Sequence, residues 1–180
     1  MRYVFVILSL LFVTTASGQE VLSGRVVGVT DGDTLTVLDA NNRQHEIRLF
    51  AIDSPETTCH HRQPSIYNDQ CVEHGQPFGK AAKRSLSELT YGRGVKVKLQ
   101  PGESYGRKIG TVWVDSVDAN LQQVARGYAW HYKRYAARGQ TDIEFAQYSN
   151  TEKMARSQRY GLWADPSSVE PWDYRHSGRQ

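Results

Sequence analysis

VLSGRVVGVTDGDTLTVLDANNRQHEIRLFAI, residues 21–52, is dense in β-branched side chains and is cut twice by turn residues. Asp31-Gly32-Asp33 makes the first break and Asp39-Ala40-Asn41-Asn42 the second. Apolar runs separated by short polar breaks predict three strands joined by tight turns. The third strand runs into Asp53-Ser54-Pro55, and Pro55 lacks the N–H needed to continue a ladder.

A long polar loop holding Cys59 and Cys71 follows. Such loops are usually functional or stapled. Pro77 then opens a helix, at the first position that tolerates proline, with Phe78, Ala82, Leu86 and Leu89 on one face and Gly92 as its end. GVKVKLQ (94–100) and IGTVWV (109–114) read as a fourth and a fifth strand. Asp118 or Asn120 caps a short helix that turns Leu121, Val124 and Ala125 inward. Thr141 or Asp142 caps the last helix, which runs towards Tyr160. This order predicts an α+β fold: a five-stranded OB-type Greek-key barrel with about three flanking helices. A split α+β sandwich shares the order, and order alone does not separate the two.

The 180 residues are sized for one domain, and 39% apolar residues suffice for a packed core. Disorder is excluded by that composition. The net charge of +3 suits a partner such as nucleic acid without demanding one. Residues 1–18 carry Arg2, an apolar run from Tyr3 to Val13 and then small residues, the layout of a secretory signal peptide. The run is too short to span a bilayer, which takes roughly 20 apolar residues. Cleavage before Gln19 leaves a folded domain over 19–165 and a polar tail over 166–180, with Trp163 and Trp172 docked on the domain. Loss of Arg2 lowers the charge from +3 to +2. The expectation is a secreted or periplasmic monomer with no stable membrane association once the signal is removed. In that setting Cys59 and Cys71 are expected to form a disulfide. Zinc shared with His60, His61 and His74, or two free thiols, are the alternatives. The cysteines stand farther apart than the two-to-four-residue spacing common in zinc sites.

Two carboxylates, Asp33 after the first turn and Asp53 at the end of the third strand, meet if their strands are neighbours. Carboxylates with a backbone carbonyl and water satisfy a hard cation such as calcium. Aspartates are also ordinary turn residues. Arg48 and Arg107 strengthen the functional reading, because guanidinium groups bind phosphate through forked hydrogen bonds. Arg48 and Asp53 are five apart and face opposite sides of a straight strand, so they converge only where the strand bends. Glu56 completes a set suited to phosphodiester cleavage, as the acceptor of a proton from water or the group that holds that water in line.

DGDT (31–34), RLFAIDSPE (48–56) and YGR (105–107) resemble, in order and spacing, the three motifs of the micrococcal nuclease (thermonuclease) family. QPFGKAAK, GYAW and RYGLWADP also look like family sequence, and the resemblance runs from Val21 to Trp163. It implies an OB-type barrel and a nuclease that hydrolyses DNA and RNA, usually with calcium, magnesium or manganese being alternatives, and leaves 3′-phosphates. Carried over by motif, Asp33, Asp53 and the Ser54 carbonyl are metal ligands. Arg48 and Arg107 bind phosphate, and Glu56 is the general base or positions the water. Asp31 lies in the outer shell and Tyr105 beside the nucleotide. Tyr132 and Tyr135 are candidates for stacking on a base, with core packing as the alternative. Ser54 and Ser104 replace a threonine and a lysine found in well-known members, and the cysteine loop is longer. A non-catalytic nucleic-acid-binding module of the same fold, and a structural domain held by the cysteine loop, are the rival readings. Neither calls for the complete set of Asp33, Arg48, Asp53, Glu56 and Arg107.

Overall fold

The structure, a computed structural model, describes residues 20–57 and 75–177. The signal segment and the Cys59–Cys71 loop with its histidines lie outside the described residues. Strands β1 (Val21–Val29), β2 (Thr34–Asp39) and β3 (Gln44–Leu49) are followed by a two-residue β4 (Ile52–Asp53) and helix α1 (Gly79–Thr90). Then come β5 (Gly94–Ser104), β6 (Arg107–Val114), a short β7 (Val117–Asp118) and α2 (Ala119–Ala125). The chain ends through β8 (Trp130–His131), α3 (Lys133–Ala136), α4 (Asp142–Ser157), a 3-10 turn (Gly161–Ala164) and α5 (Pro171–Ser177).

The β1–β2–β3 stretch is an antiparallel meander, as its alternation predicts, with a register shift between Val26 and Gly28. An extra residue of this kind bends a strand and increases its twist. β5 pairs with the other side of β1, and β6 with β5. A parallel pairing of β3 with β6, Arg48 opposite Ile109 and Leu49 opposite Gly110, closes the sheet into a five-stranded barrel. Closure removes the free edges. Gly110 on β6 leaves no room for a side chain, since a Cβ there would lie 2.5 Å from Val97 Cγ1 on the neighbouring β5. Val26, Leu35, Val37, Ile47, Leu49, Val97 and Val112 fill the interior. Each such side chain contributes about 1.5–3 kcal/mol on burial.

Helix α1 starts at Gly79 rather than at Pro77, because Phe78 takes a left-handed conformation (φ 69°) that no helix continues. α2 also departs from expectation. It buries Ala119, Asn120, Gln123 and Val124, while Leu121 is only partly covered. Its cap is Asp118, whose side chain accepts from the Leu121 N–H. α4 carries a full capping box between Thr141 and Glu144. The polar pair that α2 turns inward has structural partners. Asn120 accepts from the Val112 N–H and donates to the Phe50 and Gly110 carbonyls, and so fastens the barrel seam. Residues 171–177, within the expected tail, form α5, and Trp172 docks on Tyr132.

Candidate active site

The site lies where β2, β3 and β6 run side by side. Thr34 is opposite Arg48, and Arg48 is opposite Ile109. Arg107 stands two residues before Ile109 and therefore on the same face.

Asp33 enters from the first turn. Its backbone N–H donates to Asp31 Oδ1 at 3.1 Å, a short-range bond typical of aspartate turns. Gly32 is there for space. A Cβ on it would come within 2.6 Å of the Ala82 methyl and 2.7 Å of Ser54 Cβ. The Gly32 carbonyl accepts from Gln123 Nε2 at 2.7 Å, so α2 holds the turn from below. Asp33 is buried, its Oδ2 accepting from the Ser54 N–H at 2.7 Å and its Oδ1 from the Thr34 hydroxyl and Arg48 Nη1.

Asp53 reaches the same point because the strand bends. Beyond Leu49 the chain turns at Phe50-Ala51, and Ala51 sits at φ 65°. That left-handed residue costs about 1–2 kcal/mol. The conformation is held by Tyr132 N–H donating to the Ala51 carbonyl at 2.8 Å and by β4 pairing with β8, Asp53 opposite Trp130. Arg48 thus bridges both acids, with Nη1 on Asp33 and Nη2 2.5 Å from Asp53 Oδ1. Glu56 follows after Pro55, and its backbone N–H donates to the Gln76 side chain at 3.0 Å.

Arg107 leaves a two-residue hairpin whose central residues, Tyr105 (φ 52°) and Gly106 (φ 76°), are both left-handed, as a type I′ turn requires. Its Nη1 donates to the Thr34 hydroxyl at 3.3 Å, so it stands one hydroxyl away from Asp33. Tyr105 is 96% exposed at the hairpin tip. Tyr132 and Tyr135 pack against each other, with ring centres 4.7 Å apart.

Burial pushes the Asp33 carboxyl well above the ordinary carboxylate range, against the opposing pull of Arg48. Burial also works against the Arg48 charge, but Asp33 and Asp53 outweigh it and hold the guanidinium protonated. The donors are all hard oxygens: Asp33, Asp53, Glu56 and nearby Asp31. The Ser54 hydroxyl is buried with no hydrogen-bond partner among the described residues. An oxygen-only set with an acid under this desolvation strain fits a hard divalent cation. Among the described residues no three His, Cys, Asp or Glu side chains stand arranged round a metal position. The Asp53 oxygens are taken up by arginines instead.

One of those arginines escapes sequence reading. Arg175 on α5 places Nη2 2.6 Å from Asp53 Oδ2 and Nη1 2.5 Å from Glu56 Oε1. No motif marks it, and its neighbours read as a polar tail. Gln76 and Gln123 were equally hidden, as single glutamines whose partners lie far along the chain.

The family described as "Staphylococcal nuclease homologue" matches residues 46–165. A "Micrococcal nuclease" of Shigella flexneri is 34% identical over 165 residues, covering 87% of this chain and 82% of that protein. An "Uncharacterized endonuclease" of Haemophilus influenzae is 31% identical, over 91% and 78% of the two chains. Another, from Escherichia coli O157:H7, is 33% identical over 86% of each. With the closed barrel, the site geometry and these matches in agreement, the chain belongs to the staphylococcal nuclease family and is a nuclease.

Proposed function

We propose that the mature chain is an exported, cation-dependent, sugar-nonspecific nuclease that hydrolyses the phosphodiester bonds of DNA and RNA. The observation that carries this is the convergence of Asp33, Asp53 and Glu56 with Arg48 at one end of the barrel, and Arg107 one hydroxyl away. Asp33, Asp53 and the Ser54 carbonyl would hold the cation, calcium being the first choice and magnesium or manganese the alternatives. The ion supplies charge neutralisation at the phosphate. Arg48 and Arg107 bind the phosphate oxygens and stabilise the charge that builds on them. Glu56 accepts a proton from water as the water oxygen bonds to phosphorus. The bond from phosphorus to the 5′ oxygen breaks, that oxygen takes a proton from solvent, and a 3′-phosphate remains. Tyr105 lies beside the nucleotide, and a base stacks on Tyr132 or Tyr135, each stack being worth roughly 1–3 kcal/mol.

Export rests on the signal layout of residues 1–18, and a Cys59–Cys71 disulfide is consistent with it. No helix among the described residues is long and apolar enough to cross a membrane. The mature protein is read as a monomer.

Digestion of plasmid DNA and of RNA by the chain from Gln19, with calcium, with magnesium and with chelator, tests the proposal. Cleavage should need an added cation and be lost in Glu56→Gln and Arg107→Lys. Wild-type turnover in either variant would remove that residue from the mechanism.

A further inference from the structure

We propose that α5 is an intramolecular plug that mimics substrate and cation together, so that the chain is autoinhibited until a divalent cation and nucleic acid displace it. This rests on the cation-dependent reading above. Two contacts imitate two different parts of the loaded site. Arg175 spans Asp53 and Glu56, with Nη1 2.5 Å from Glu56 Oε1 and 3.2 Å from Asp53 Oδ1, and Nη2 2.6 Å from Asp53 Oδ2. Its positive charge therefore lies among the acids that would hold the metal and activate water. Trp172, three residues earlier, stacks flat on Tyr132, with ring centres 4.6 Å apart and planes 13° apart. That is the geometry a nucleobase takes on an aromatic platform.

A third attachment sets the register of the plug. Gln76 Nε2 donates to the Val169 carbonyl at 2.9 Å, while Gln76 Oε1 accepts from the Glu56 N–H at 3.0 Å. One side chain thus ties the lead-in to α5 to the backbone of the general base. The helix has seven residues, too short to be stable alone. Its order depends on what it grips, and it can be dislodged by a competitor for the same groups. A divalent ion brings twice the charge of one guanidinium to the acids, and a base competes for Tyr132. While Arg175 donates to Glu56 Oε1, that oxygen is engaged by a guanidinium N–H. A permanent phosphate-binding role fits less well, because the same guanidinium is committed to Asp53 and Glu56.

The test uses the full mature chain carrying Arg175→Ala or Trp172→Ala, with Arg175→Lys as a variant that keeps the charge and loses the fork. Calcium alone is titrated by calorimetry, without DNA. A plug seated in about nine molecules of ten weakens apparent affinity about tenfold, so Arg175→Ala should tighten calcium binding by about that factor and Arg175→Lys by less. Binding of a labelled thymidine hexanucleotide is read by anisotropy in chelator, where nothing is cut. Trp172→Ala should tighten it several-fold. Calcium affinity that is unchanged or weaker in Arg175→Ala overturns the plug. So does weaker hexanucleotide binding in Trp172→Ala, which would make Trp172 part of the base platform. If no protein cleaves with any cation, the cation-dependent reading fails by itself, and the two binding measurements still decide the plug.

Discussion

Replacing Gln123 by methionine isolates the support beneath the first turn. Gln123 is fully buried, and its side chain makes three hydrogen bonds. Oε1 accepts from the Ser85 hydroxyl at 2.7 Å, and Nε2 donates to the Gly32 carbonyl at 2.7 Å and the Ala82 carbonyl at 3.1 Å. Methionine keeps the length and apolar stem but removes all three. At about 1 kcal/mol net per bond the loss is about 3 kcal/mol, and more where the Ser85 hydroxyl and Gly32 carbonyl are left buried without partners. For a domain of this size each kcal/mol moves Tm by about 2–4 °C, so a drop of about 10 °C is expected by circular dichroism. Gln123→Glu should be worse. It keeps the Ser85 bond but sets a carboxylate against two carbonyl oxygens. Because Gly32 precedes Asp33, both variants should also lose calcium affinity when assayed well below Tm. A Tm within 2 °C of wild type for Gln123→Met, or a Glu variant more stable than the Met one, would refute the view that this glutamine holds the turn.

Three further changes probe the same architecture. Gly32→Ala forces a methyl against Ala82 and Ser54; it should cost about 1–3 kcal/mol in urea unfolding and reduce kcat more than Gln123→Met does, since the intruding atom displaces the turn that carries Asp33 itself. Arg48→Lys keeps a charge but cannot span both Asp33 and Asp53; kcat should fall about 10²-fold or more, with the loss not recovered at saturating substrate. His131 lies between Ser149 and Gln140, against the Phe145 and Tyr148 rings, with Glu152 and Lys133 nearby, and burial lowers its pKa in spite of Gln140 and Glu152. Folding therefore favours the neutral ring, so its contribution is fully present above the unfolded value of about 6.5 and is lost as pH falls from there towards the folded value. Urea midpoints measured from about pH 7.5 down to about pH 5 should fall less steeply in His131→Gln than in wild type.

The barrel was legible because each of its strands announces itself locally. Alternation and turn residues over 21–52 are consequences of period-two burial, and they survive into the observed register. The Arg48–Asp53 bend was legible only as a requirement. Nothing about Ala51 signals a left-handed residue, since alanine has no preference for that region; the surrounding bonds from Tyr132 and β8 impose it. Asn120 and Gln123 mislead for the same physical reason. A helical pattern read by hydrophobicity assigns polar residues to solvent, whereas these two fill backbone hydrogen-bonding sites brought close by tertiary closure. Arg175 was the least legible. Its partners are 119 and 122 residues away, and pattern reading carries no information at that separation.

The buried acids at the barrel end oppose folding. Asp33 and Asp53 are almost completely buried, Glu56 is nearly so, and Asp31 and Asp53 add repulsion to the desolvation that raises the Asp33 pKa. Arg48 alone brings one positive charge to two buried carboxylates. Arg175 brings a second and reaches the third acid, and Asp53 and Glu56 hold it protonated against the cost of burial. A calcium ion would do the same work with two charges, and whatever binds the folded state alone stabilises it in proportion to the logarithm of its concentration. Arg175 and the cation are thus alternative solutions to one electrostatic problem. If so, Arg175→Ala should leave the cation-free chain less stable than wild type, and saturating calcium should narrow or abolish that difference in thermal unfolding. A stability loss that persists undiminished at saturating calcium would mean that Arg175 stabilises the fold by contacts the ion does not replace, and the equivalence would fail.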